Sequence, residues 1–186
     1  MFTISKNIVY YERRRILESL SLRRTIFSYG EQVITELFLE LKNEPDFKEK
    51  IITLVENLFA RNLMITQLKD KDVFKSLISE FDLYELKLYL FEEFWITYLL
   101  KITELSVYGD EVIENLERSI ILLNTDRIWR EHLQRMTLLR ETVGWRGYGQ
   151  RNPLSEYKVD AFNLFTTAEK LRRHTIIYDL LRLSIL

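Results

Sequence analysis

Apolar residues recur every three or four positions through most of this chain, and that spacing predicts helices. Leu22, Ile26, Tyr29, Val33, Leu37 and Leu41 form one such stripe, interrupted only by Gly30 and ended by Asn43-Glu44-Pro45. A glycine inside a helix costs about 1 kcal/mol relative to alanine, so Gly30 either allows close packing or marks a bend. Together with the preceding residues the stripe predicts one long helix over 1–44. Shorter helical patterns follow around Ile51 to Phe59, Val73 to Leu77 and Leu83 to Leu100, with polar joints such as QLKDKD. This middle, 45–118, reads as a compact helical insert.

After Tyr108-Gly109-Asp110 a second long pattern starts, with Asp110 placed to cap it. Trp129, Leu133, Met136 and Leu139 continue its stripe, which makes Leu133 a core position. The pattern runs into GWRGYGQRNP, where three of the chain's five glycines, Gly144, Gly147 and Gly149, gather with one of its two prolines. Asn152 then fits an N-cap and Pro153 the first helical position. Leu154, Tyr157, Ala161, Phe165 and Ala168 form the next stripe. The glycine-rich stretch is therefore the loop of a helical hairpin, and 119–186 reads as hairpin plus closing helix. The expected fold is all-α.

Composition removes several alternatives. Lys and Arg number 27 against 28 Asp and Glu, a net charge of -1, which leaves no bulk attraction for nucleic acid. Cysteine is absent and there are two histidines, so thiolate sites and a Cys nucleophile are excluded and little remains for zinc. In the most apolar stretch, Leu83 to Leu100, Glu85, Lys87, Glu92 and Glu93 would each cost roughly 2.5 to 3.5 kcal/mol at a bilayer centre, so a buried helix is expected rather than a membrane span. The first residues lack the basic and apolar regions of a secretory signal.

Candidate chemistry fails on spacing. Gly144 and Gly149 have the GxxxxG interval of a phosphate loop, but Gln150 and Arg151 stand where Lys and Ser or Thr are needed. Gly147-Tyr148-Gly149 is followed by Asn152 where a dinucleotide fingerprint needs a third glycine. Glu131-His132 would need a histidine at the position of Arg135 for HExxH zinc spacing, which leaves His132 as a polar helical histidine. Glu92-Glu93 reads as a solvated face. The sequence assigns no catalytic residue, no cofactor and no metal. Arg13, Arg14, Arg15, Arg23 and Arg24 form a basic stretch, either an ordinary mixed-charge surface or a contact for an acidic partner or anionic lipid headgroups.

The stretch IWREHLQRMTLLRETVGWRGYGQRNPLSEYKVDAFNLF resembles the two-helix finger in the helical scaffold of the SecA preprotein-translocase ATPases. WREHL, LR, RGY, Q, Pro-Leu and EYK arrive in family order. IVYYERRRILESLSLRRTIFSYGEQVI is similar to the family's long scaffold helix, and LRRHTIIYDLL to its closing helix. SYGEQ, LRETVG and RGYGQ look like the cyanobacterial and plastid branch. Between about 45 and 118 the similarity is weak, although position and length suit the helical wing domain.

The resemblance implies an all-α module of scaffold and wing, with the family's motor domains and preprotein-crosslinking domain preceding it. No phosphate loop is recognisable in these 186 residues, so the module is expected to be non-enzymatic. It also implies that Tyr148 is the aromatic tip of the finger, presented to a translocating chain and flanked by Trp145, Arg146, Gln150 and Arg151. Gly144, Gly147, Gly149, Asn152 and Pro153 would shape the turn. The other reading of the tip is a tight interhelical turn with a half-buried tyrosine. Trp145, where the family usually has leucine, and Val159-Asp160, where a charged pair is common, depart from the pattern.

Two functions follow. One is a scaffold and wing module serving protein translocation, in contact with a channel, a separate motor or the translocating polypeptide, at the plastid stroma or thylakoid surface, with bacterial cytoplasm as the alternative. The other is a structural subunit of SecA descent, recruited into another large assembly such as a plastid photosynthetic or ribosomal complex. Both predict protein partners, with no nucleic acid, no membrane span and at most peripheral membrane contact. Tyr10, Ile16, Phe27 and Ile34, lying off the main stripe, predict apolar surface on a second face and an obligate partner.

Overall fold

The computed structural model describes residues 2–41, 46–47, 49–51, 80–146 and 153–183. The described residues are helical and contain no strand: α1 (Phe2–Glu18), α2 (Arg23–Leu41), α3 (Leu83–Leu105), a short 3-10 turn at Ser106–Tyr108, α4 (Asp110–Arg146) and α5 (Pro153–Leu181). Most of the helical patterns expected between Ile51 and Leu77, the joint QLKDKD and the hairpin loop at 147–152 lie outside the described residues. Contacts divide the chain into two units, one of residues 1–20 and 118–172, the other of 21–117 and 173–186.

The first long pattern is two helices rather than one. Residues 19–22, Ser-Leu-Ser-Leu, separate α1 from α2. Serine competes for backbone hydrogen bonds and weakens a helix interior. The released carbonyls find a donor in the first unit, where the Arg118 guanidinium on α4 donates to Ser19 O at 2.8 Å and to Ile16 O at 3.4 Å. An arginine near the last turn suits the negative end of the helix dipole.

In the second unit the α2 stripe buries Leu22, Ile26, Tyr29 and Val33 and then shifts to Ile34 and Phe38, leaving Leu37 half-buried. Gly30 is a close-packing glycine. A Cβ there would overlap the Phe94 ring of α3. Phe27 packs beside it, stacked on Trp95 at 4.3 Å and edge-on to Tyr98 at 5.3 Å. The apolar residues expected to face a partner are thus largely used within the chain: Ile16 and Ile34 are buried and Phe27 is half-buried, and only Tyr10 is exposed.

Asp82 begins α3 with a reciprocal cap, accepting from Glu85 N at 2.7 Å while Glu85 Oε2 accepts from Asp82 N at 3.0 Å. No helix among the described residues is long and apolar enough to cross a membrane. One expectation on α3 is overturned. Glu93 is buried rather than solvated, and Tyr89 donates to its Oε1 at 2.8 Å. Helix α4 starts one residue away from expectation: the Gly109 carbonyl accepts from Val112 N, and Asp110 lies in the first turn, where its charge suits the dipole. Gly109 turns the chain with φ +97°, in the region that disfavours a Cβ. Pro153 opens α5 as expected.

Candidate functional site: the helical hairpin

The hairpin is made by the end of α4 and the start of α5, joined through 147–152. Its walls meet because Met136, Leu139 and Val143, spaced by three and four, lie on one face of α4, and Ala161 of α5 is small enough to approach them. Tyr157 and Leu164 close the cluster from the side. Met136 and Leu139 are buried as expected, but Leu133, expected as core, is only half-buried, because before Met136 the buried line of α4 runs through Ile121, Thr125, Ile128 and His132, one position off Trp129 and Leu133. Leu154 is likewise exposed rather than buried.

That offset leaves an apolar groove of about 790 Å³ on the hairpin, lined by Leu133, Met136, Thr137, Arg140, Val143, Leu154 and Tyr157. Thr137 and Thr142 return their hydroxyl hydrogens to the carbonyls of Leu133 and Leu138, so these polar side chains do not break the helix. The expected contact residues Tyr148, Gln150 and Arg151, with Gly147, Gly149 and Asn152, fall outside the described residues. Gly144, Trp145 and Arg146 belong to the last turn of α4 and Pro153 to the first of α5, on either side of that loop.

The base of the hairpin is polar where the sequence suggested apolar packing. Arg172 continues the Phe165 and Ala168 line of α5, yet it is buried, and its Nη2 meets Glu12 Oε2 of α1 at 2.6 Å and Glu169 Oε2 at 2.7 Å. A buried arginine holding two carboxylates ties α1 to α5. Sequence reasoning missed it; a charge standing on an apolar stripe was the available signal. His132, a helical histidine as expected, is buried here too, against Trp129 and Phe165 at ring distances of 5.3 and 5.6 Å. Burial pushes its imidazole below the ordinary histidine range, while the Glu169 carboxylate opposes and Arg135 assists that shift.

The basic stretch is divided by the break at 19–22. Arg13 grips Asp126 of α4 with Nε at 3.0 Å and Nη2 at 3.3 Å, and Arg14 pairs with Glu18 at 2.7 Å. Arg15, Arg23 and Arg24 are exposed. Beside the Arg13 pair, Tyr10, Tyr11, Leu17 and Trp129 border an open groove of about 650 Å³. Among the described residues no group of His, Asp and Glu side chains could hold a metal ion.

An all-helical scaffold carrying a two-helix hairpin is the class these elements define. Residues 3–184 match the family described as the SecA Wing and Scaffold domain, and the chain belongs to that family. It is 65% identical over 181 residues to the protein translocase subunit SecA of Phaeodactylum tricornutum, covering 97% of this chain and 20% of that relative. The SecA subunit of Trieres chinensis is 45% identical over 181 residues, with the same coverage of 97% and 20%. That of Prochlorococcus marinus is 35% identical over 178 residues, covering 94% of this chain and 18% of the relative. The chain thus spans about a fifth of the length of these curated relatives, the wing and scaffold part.

Proposed function

We propose that the chain is the scaffold and wing module of a protein-translocation machine, acting without chemistry of its own through contacts with a channel, a motor partner or the translocating polypeptide. The observation that carries this reading is the family match over residues 3–184, which includes the whole hairpin and its glycine-rich loop. The packed walls of the hairpin support it: a rigid pair of helices can hold a loop at a fixed distance from its base. In this reading Tyr148 is the tip. Gly147 and Gly149 let the backbone turn tightly beside it, and its ring can pack on apolar side chains without sequence preference. Trp145, Arg146, Gln150 and Arg151 add contact area around it. The algal relatives favour a plastid location, at the stroma or thylakoid surface.

The test is a photoreactive amino acid at position 148 in the protein that carries this chain, activated while a precursor is arrested in transit through its membrane. Adducts to the precursor or to a channel subunit are the expected outcome. Adducts confined to a fixed subunit of an unrelated assembly would replace this reading with that of a recruited structural subunit.

A further inference from the structure

We propose that His132 is a pH-sensitive latch at the base of the hairpin: its neutral ring closes the packing of α1, α4 and α5, and a proton on it, attracted by Glu169, loosens that packing. The geometry comes first. A small cavity is lined by Val9 of α1, Thr125, Ile128 and His132 of α4, and Phe165 and Ala168 of α5. Both ring nitrogens of His132 and the hydroxyl of Thr125 are buried there with no hydrogen-bond partner among the described residues. An imidazolium in that place would carry two N–H donors where neither ring nitrogen now has a partner, and the carboxylate that lines the same cavity, Glu169, is already engaged by Arg172; a buried charge without a partner of its own is far more costly than a buried neutral ring.

The charged groups around the ring decide where it would turn. Arg135 on its own helix repels a proton and Glu169 on α5 attracts it. Glu169 is already engaged by Arg172, which also holds Glu12 of α1. The Arg13 and Asp126 side chains, on α1 and α4, neutralise each other. A proton on His132 therefore competes with Arg172 for Glu169, and that competition weakens the tie between α5 and α1. Because burial holds the folded ring below its unfolded value, the folded form binds fewer protons than the unfolded chain across that interval. The latch is closed above the ordinary histidine value of about 6.5 and is lost as pH falls below it.

The chain has two histidines, so proton NMR of the imidazole carbons in the full 186-residue chain gives two titrating signals, assigned with His174→Gln. His174 lies near Glu36 in the other unit and serves as the internal control. We expect the His132 midpoint below about 6.5, and lower still in Glu169→Gln. We also expect the thermal midpoint to fall between about pH 7.5 and about pH 5.5, on either side of the ordinary histidine value, and most of that fall to vanish in His132→Phe and His132→Leu but to persist in His174→Gln. A His132 midpoint at or above the ordinary value would overturn the proposal. So would an undiminished pH dependence in whichever His132 variant folds, or a midpoint that rises in Glu169→Gln.

Discussion

Tyr98 donates its phenolic hydrogen to Glu117 Oε1 across 2.5 Å, and both side chains are buried. The pair joins the middle of α3 to the first turns of α4 in the second unit. Burial pushes the Glu117 carboxyl above the ordinary glutamate range, opposed by the Tyr98 hydrogen bond and by Arg23. Burial, reinforced by the Glu117 partner, also pushes the Tyr98 hydroxyl well up, so it remains a donor throughout the neutral range.

Removing the donor and removing the charge should therefore differ. Tyr98→Phe leaves a buried carboxylate without its hydrogen bond and should cost about 1 to 3 kcal/mol, whereas Glu117→Gln keeps an acceptor and should cost less. A carboxyl raised in the folded state contributes stability that is complete below its unfolded pKa and is lost as pH rises through the folded pKa. Glu117→Gln should thus flatten the fall in stability as pH rises above the ordinary glutamate value of about 4.3. Urea unfolding at a series of pH values measures both effects, and equal costs for the two variants would contradict the assignment.

Gly30→Ala tests the closest approach in the second unit. A Cβ there meets the ring of Phe94, itself buried and in edge contact with Phe27 at 6.5 Å, so the ring has little room to move. Helix propensity alone would favour alanine by about 1 kcal/mol, but overpacking typically costs 1 to 3 kcal/mol, and the clash should win. A lower thermal midpoint is expected, with recovery when Phe94→Leu is added. A more stable Gly30→Ala single variant would mean that propensity, not space, governs the site.

The break between α1 and α2 yields a third prediction. Arg118→Met keeps most of the aliphatic stem but withdraws the donors from Ser19 O and Ile16 O. A cost of about 1 to 2 kcal/mol is expected, in the range of hydrogen bonds made by a charged group. Amide exchange should accelerate in the last turn of α1 and not in α3. Unchanged protection near Glu18 would show that the carbonyls do not depend on Arg118.

These cases show what the sequence could carry. Helical periodicity, the proline at 153 and the unusual glycine at 30 are local or nearly local signals, and each has its counterpart in α5 or in the Gly30–Phe94 packing. The break at 19–22 has no glycine or proline to announce it, and the side chain that meets its carbonyls, Arg118, lies about a hundred residues away. Glu93, His132 and Arg172 are buried polar groups that helical periodicity does not flag. A polar side chain on a helix is read as solvated unless its partners are known: Tyr89, one turn before Glu93 on the same helix, was a local signal, whereas Phe165 beside His132 and Glu12 beside Arg172 become visible as partners only once the helices are packed. The stripe of α4 holds at Met136 and Leu139 and is one position off at Trp129 and Leu133, because the buried line there contains Thr125 and His132, which an apolar count passes over.

The hairpin prediction depends on that correction. Leu133 is half-buried and borders the groove, so its truncation would mix stability with surface effects; Met136, 4% exposed and packed in the hairpin cluster, is the cleaner core probe. Met136→Ala should cost on the order of 2 to 5 kcal/mol. Tyr148→Ala, if the ring is an outward contact, should alter stability by no more than about 0.5 kcal/mol. Its effect belongs in partner binding, where an aromatic anchor worth 2 kcal/mol or more corresponds to roughly a thirtyfold loss of affinity or greater. Thermal melts and quantitative recovery of partners from plastid membranes, run on both variants, separate the roles. A Tyr148→Ala variant that melts like Met136→Ala places the ring in the turn's own packing. One that changes neither property leaves the tip without a contact, and the module's partners must then be sought on its other helical surfaces.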